Sequence, residues 1–168
     1  MKKRISLLAS LLFILCSFAQ KQQYDIILFG NVIGKGDMNR TIQNGVEKID
    51  LITNAKAKVM FKDKTNHTDM DIVMKNGLLE SLNQIKIDDG EKQTIKVTKE
   101  DGKQFFYLDG KKSAVPKPVK YTTTHFFFKE PVGIKEAYVE RMNIFVPIEK
   151  VDASTYKTTV DGADNFYT

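Results

Sequence analysis

The stretch Glu47–Phe61, EKIDLITNAKAKVMF, constrains the fold more than any other part of the chain. Ile49, Leu51, Thr53, Ala55, Ala57, Val59 and Phe61 share one phase, and Lys48, Asp50, Ile52, Asn54, Lys56, Lys58 and Met60 the other. A period of two sends successive side chains to opposite faces, so this is a strand with one face for a core and one mostly for water. Helical spacing of three and four residues is not kept. At about 3.3 Å per residue the run spans roughly 45–50 Å, whereas a typical strand has about 5–6 residues. Strands of this length twist and coil, and their sheets curl into barrels or half-barrels.

The turn chemistry agrees. Six of the ten glycines follow Asn or Asp, at Gly45, Gly77, Gly90, Gly102, Gly110 and Gly162. Such dipeptides suit the positive φ angles of tight hairpins, so the topology reads as a meander. Tyr24–Phe29 (YDIILF) is apolar in both phases and is expected to be an inner strand covered on both sides. The following GNVIGKG resembles a phosphate loop only loosely, without the Lys-Ser or Lys-Thr ending or a helix after it, and reads as a bulged strand. A phase break at Ser81–Asn83 predicts a second bulge, and Pro116 and Pro118 an extended crossover. Thr122–Lys129 is expected to form one short helix, capped by Thr122 or Thr123 and packed on the sheet. The fold class is therefore mainly β: about nine or ten strands in a strongly curved antiparallel sheet or incomplete β-barrel, with one short helix.

The first residues, MKKRISLLASLLFILCSFAQ, carry a basic start at Lys2, Lys3 and Arg4, an apolar run Ile5–Leu15, and small residues in Ser17-Phe18-Ala19. This is the pattern of a cleavable signal peptide, expected to end between Ala19 and Gln20 and to leave a single domain, residues 20–168. The apolar run is shorter than a bilayer span, which needs about 20 residues. Without Lys2, Lys3 and Arg4, the 26 basic residues become 23 against 21 acidic ones, a balanced surface. No basic stripe or nucleic-acid motif is present, so nucleic acid is not an expected partner. Cys16, the lone cysteine, belongs to the signal segment, which excludes disulfides and thiolate chemistry from the domain.

YDIILFGNVIGKGDMNR, FFFKEPVGI and YVERMNIFVPIEKV followed by TYKTTVDGADNFYT resemble a family of small exported bacterial proteins of unknown function. The resemblance rests on Tyr24, Gly30 and Gly34 and on the pairs Glu130-Pro131 and Glu140-Arg141. It implies no activity or catalytic residues. It also implies a further Tyr- and Gly-Lys-Leu-containing segment after the last hairpin, so this chain, ending at Tyr167-Thr168, is expected to be a shortened version lacking a closing strand. At the level of architecture alone, the pattern is similar to the open half-barrels that carry lipoproteins across the periplasm.

Candidate chemistry is sparse. His67, Asp69 and Asp71 share a strand face, about 7 Å between successive members, which can present a divalent cation or simply face water. His125 heads three phenylalanines, with Glu130 and Glu140 as the nearby carboxylates in sequence, but no nucleophile elbow accompanies them. Adaptable Met60, Met70 and Met74, with Phe61, Phe126, Phe127 and Phe128, either line a cavity or pack the core. Small Ala55 and Ala57, mid-strand on the apolar phase, leave room across the sheet for the phenylalanines or for a ligand. The expected function is that of a non-enzymatic, periplasmic or secreted envelope protein. Its curved sheet would bind an apolar ligand or a lipidated partner, without a cofactor. The alternative is an interaction module that recognises a protein or glycan through an exposed sheet edge.

Overall fold

The computed structural model describes residues 18–59 and 61–168. Most of the predicted signal peptide, and Met60, lie outside these residues. Eight strands form one antiparallel meander: β1 (Phe18–Leu28), β2 (Asn31–Gln43), β3 (Val46–Val59), β4 (Lys62–Lys75), β5 (Leu78–Asp88), β6 (Glu91–Glu100), β7 (Lys103–Leu108) and β8 (Lys111–Ala114). Each strand pairs with its neighbours in sequence. The sheet is open, with β1 and β8 as its edges. The predicted cleavage point falls inside β1, where Phe18 and Ala19 pair with Ile42 and Thr41.

The turns explain the dipeptides. Asn44 and Gly45 have φ of 51° and 74°, and the other five Asn-Gly or Asp-Gly pairs are left-handed at both residues as well. A left-handed pair matches the twist of the strands it joins. Two bulges are present: one lies in the expected GNVIGKG stretch, at Ile33 opposite the Ile26–Ile27 step, and the other is at Glu80 opposite the Val73–Met74 step, just before the expected Ser81–Asn83. The long strand is fourteen residues, Val46–Val59, with Ile49 and Thr53 buried and Lys48, Asp50 and Asn54 exposed, as its alternation requires.

After β8 the chain crosses through Pro116 and Pro118 and lies over one end of the sheet. Leu79 N–H donates to Val119 O at 2.9 Å, and the Gln104 side chain bridges the two segments, donating to Leu79 O and accepting from Val119 N–H. A 3-10 helix (Thr123–Phe127), the hairpin β9 (Glu136–Val139) with β10 (Ile144–Pro147), and a small sheet of β11 (Glu149–Lys150), β12 (Tyr156–Val160) and β13 (Ala163–Tyr167) complete this cap. The main core lies between sheet and cap: Ile49, Met70, Ile72, Met74, Leu79, Leu82, Ile95, Val97 and Phe106 meet Val119 and Tyr138. Val139, Val146 and Val160 form a second cluster inside the cap.

Two expectations need correction. Tyr24–Phe29 is not an inner strand: β1 is the sheet's edge, and its outward Ile27 is 63% exposed. Its apolarity in both phases reflects an apolar end of the sheet instead of double coverage. The nine or ten strands expected are thirteen in three sheets among the described residues: the strand-like stretch Ala137–Ile148 folds back on itself as β9 and β10, and the short β8 and β11 add to the count, whereas β12 and β13 fall where Tyr156–Val160 and the residues from Asn165 read as strand. Among the described residues, no helix is long and apolar enough to cross a membrane.

Candidate functional site

The cap is joined to the sheet by a buried polar cluster. Glu47 on β3 lies two rungs and Arg40 on β2 four rungs from the Asn44-Gly45 turn, both in the inward phase of their strands. Arg40 Nε donates to Glu47 Oε1 at 2.6 Å, and Arg40 Nη1 to Gln20 Oε1 on β1 at 2.8 Å. From the cap, His125 enters the same space and is 2% exposed. Its Nδ1 accepts from the backbone N–H of Thr122 at 3.1 Å. That acceptor role puts the proton of the neutral ring on Nε2, which faces Glu47 Oε1 at 3.7 Å, beyond hydrogen-bond reach. Glu140, at the end of β9, accepts from the Thr124 N–H at 2.9 Å and from the Thr123 hydroxyl, occupying the N-terminus of the 3-10 helix.

Chemically this cluster fastens. The oxygen of Glu47 nearest the imidazole is held by Arg40, and the Nδ1 lone pair is held by the helix start. Burial keeps His125 below the ordinary imidazole value of 6.5, opposed by the charges of Glu47 and Glu140. Tyr121, whose ring is tilted by 32° against the imidazole at 5.0 Å, has its phenol pushed up by burial.

The depressed histidine predicts an acid-side weakness. Unfolded chains take up this proton near pH 6.5, folded ones only at lower pH, so the contribution is complete above that value and is lost as pH falls through it. Urea midpoints of the parent are expected to drop between pH 7.5 and 5.5, by at most about 1.4 kcal/mol per pH unit. His125→Gln, which keeps an acceptor for Thr122, removes that slope. Equal slopes in both proteins would contradict the burial of a neutral imidazole.

The residues expected to line one cavity are divided among four places. Met70 and Met74 are buried in the main core. Phe126 stacks on Tyr167 at 4.0 Å, Phe127 on Tyr24 at 5.2 Å, and Phe128 packs against the core from the cap. Phe61 is fully outside, at the β3–β4 tip. Ala55 and Ala57 face a separate groove of about 260 Å³ at the uncapped end of the sheet, lined also by Leu28, Ile33 and Val59 and edged by Lys64, Asn66, Asp88 and Asp89. The phenylalanines do not reach this groove. They stop at Tyr24, which lies across Gly36 on the next strand, where an added Cβ would stand 2.2 Å from Tyr24 Cζ. Gly36 is thus needed for a close approach, with no positive φ involved.

His67, Asp69 and Asp71 do share the outer face of β4, but His67 Nδ1 engages Asn54 Oδ1 at 2.8 Å and Asp71 accepts from Asn83 at 2.9 Å. No group of three such side chains able to hold a metal ion forms among the described residues. Glu130 accepts from the Tyr156 hydroxyl, away from Glu140. Sequence reasoning missed Arg40 and Glu47. Their signal was a charged residue in the apolar phase on each arm of one hairpin.

No curated protein matches this sequence, and no solved structure does. Residues 24–168 match a family described as "Domain of unknown function (DUF6134)". That span runs from the Tyr24 that covers Gly36, through the Arg40–Glu47 pair and the whole cap, to the last residue, and the chain belongs to this family.

Proposed function

We propose that the chain is an exported, non-enzymatic envelope protein that takes an apolar ligand or a lipidated partner on its sheet. The observation that carries this reading is the groove over Ala55 and Ala57. Small side chains near the end of β3 meet Leu28, Ile33 and Val59 where the cap does not extend, and the rim is polar. A site with an apolar floor and a few polar groups at its edge suits an acyl chain with a polar end. Pronounced coiling of the fourteen-residue β3 around this groove, in the manner of a half-barrel carrier, and removal of a signal peptide are parts of the same reading.

Native mass spectrometry of the protein extracted from its producing envelope tests it. A lipid-sized adduct is expected, and Ala55→Phe should abolish both the adduct and the uptake of apolar dyes. Because Ala55 is in the groove, outside the main core, the same substitution should change stability by less than about 1 kcal/mol. Absence of any adduct, together with no dye uptake by the parent, overturns the reading.

A second reading, strand addition at the edge, is favoured by one specific observation. β1 offers eleven residues of edge paired on one side only. Unpaired backbone donors and acceptors accept a partner strand. The same spectra separate the two, since a polypeptide adduct that survives Ala55→Phe belongs to the edge.

A further inference from the structure

Nine residues other than glycine have left-handed backbone among the described residues. Seven are Asn or Asp, which tolerate that conformation. The other two are Phe29 (φ 49°) and Phe61 (φ 66°), for which it is unfavourable. They are 91% and 95% exposed, so neither is held there by packing. Both sit at hairpin tips, β1–β2 and β3–β4, which point from the same end of the sheet because alternate turns of a meander share an end. The hairpins are adjacent, which sets their midlines about 10 Å apart. Exposed Ile27 and Val32 flank the first tip and Val59 the second. An aromatic ring placed where the turn itself wants Asn is there for something outside the chain.

The charges indicate what that is. The β3–β4 hairpin carries Lys56, Lys58, Lys62 and Lys64 against Asp63 alone. Lys56 pairs with Asp63 and Lys64 with Asp89 of the next tip, while Lys58 and Lys62 have no acidic partner among the described residues. By the alternation of the strands, Lys56 and Lys58 are on the outer face and Lys62 and Lys64 on the inner. An apolar point with an unpaired cation on each face of the blade, Lys58 outside and Lys62 inside, fits tip-first entry into an interface. A flat protein partner would call for cations on one face only. Aromatic rings settle at the headgroup level, and lysines beside them attract anionic lipid. The geometry points to a lipid-docking end: Phe29 and Phe61 enter the headgroup region of an anionic bilayer surface, and Lys58 and Lys62 contact its phosphates. This does not depend on the groove being filled.

The chain contains no tryptophan, so Phe29→Trp and Phe61→Trp each install a single reporter. Such reporters are needed because Ile5–Leu15 in the full chain is itself apolar. Both should shift to the blue with phosphatidylglycerol-containing vesicles and be quenched by brominated acyl chains. Val132→Trp, exposed in the cap, should do neither. In the Phe61→Trp chain, Lys58→Glu with Lys62→Glu should weaken the response about tenfold or more, as should added salt in part. In the Phe61→Trp chain, Phe29→Asn, which suits the first turn and should fold at least as well, should also weaken the blue shift and the quenching. Tip reporters silent to anionic vesicles, quenching equal at Val132→Trp, or a Phe61→Trp response unchanged by Phe29→Asn each overturn the proposal. A blue shift that depends on protein concentration without vesicles also overturns it, in favour of a second copy. A missing lipid adduct in the groove would leave these readings untouched, so the two ideas fail separately.

Discussion

Arg40→Met is expected to lower the unfolding free energy by about 3 kcal/mol, read from urea midpoints at pH 7.5. The side chain is 9% exposed and its partner Glu47 19%, so the substitution strands a largely desolvated carboxylate and frees Gln20 as well. Some water reaches Glu47, which puts the value at the low end for a broken buried pair. The loss is expected to depend on pH in a particular direction. Arg40 holds the His125 pKa down and Glu47 draws it up, so without the guanidinium the imidazole accepts a proton more readily and can pair with Glu47. The deficit of Arg40→Met should therefore narrow from pH 7.5 to 5.5. Arg40→Met with Glu47→Leu should recover most of the stability, since no charge is then buried alone. A deficit that is the same at both pH values would show that Arg40 and His125 do not share Glu47.

Tyr138→Ala should be at least as damaging, at about 3–5 kcal/mol. The residue is fully buried, donates its backbone N–H to Tyr121 O at 2.9 Å, and sets its ring against Phe145 at 5.2 Å. Its hydroxyl donates to Asn143 Oδ1, and Asn143 in turn donates to Ala114 O on β8. Truncation therefore opens a cavity between sheet and cap and loosens the turn that ties β9–β10 to the sheet. Tyr138→Phe keeps the volume and loses one hydrogen bond to a half-buried partner, about 1 kcal/mol. The contrast between the two variants is the measurement, and similar losses would mean that the hydroxyl, not the packing, dominates.

How much of this could be read from sequence depends on the range of the interactions. Alternation and turn chemistry are local, so the meander, the two bulges and the inward set Met70, Ile72 and Met74 are visible in the residues themselves. The cap is set by contacts between distant segments. Val119 against Leu79, and His125 against Glu47, leave no periodic trace. The candidate cavity failed as a set for the same reason. Ala55 and Met74 share the inward face, but the cap lies over Met74 and stops short of Ala55. Face is legible from phase. Coverage is not. The one part of the cluster that phase does expose is Arg40 with Glu47, opposite charges at inward positions flanking a two-residue turn.

The meander also governs the order in which the molecule can assemble. Every ladder from β1 to β8 closes through a short turn, so each hairpin pays little loop-closure entropy and can form as its second strand leaves the ribosome or a translocation channel. The sheet is complete by Ala114, before any residue of the cap exists. Until then Ile49, Ile72 and Met74 face water on one side. The cap must afterwards fold back across some eighty positions, from His125 to Arg40 and Glu47. A growing chain therefore passes through a stage with an intact sheet and a bare apolar face, and that interval is when a chaperone would be most needed.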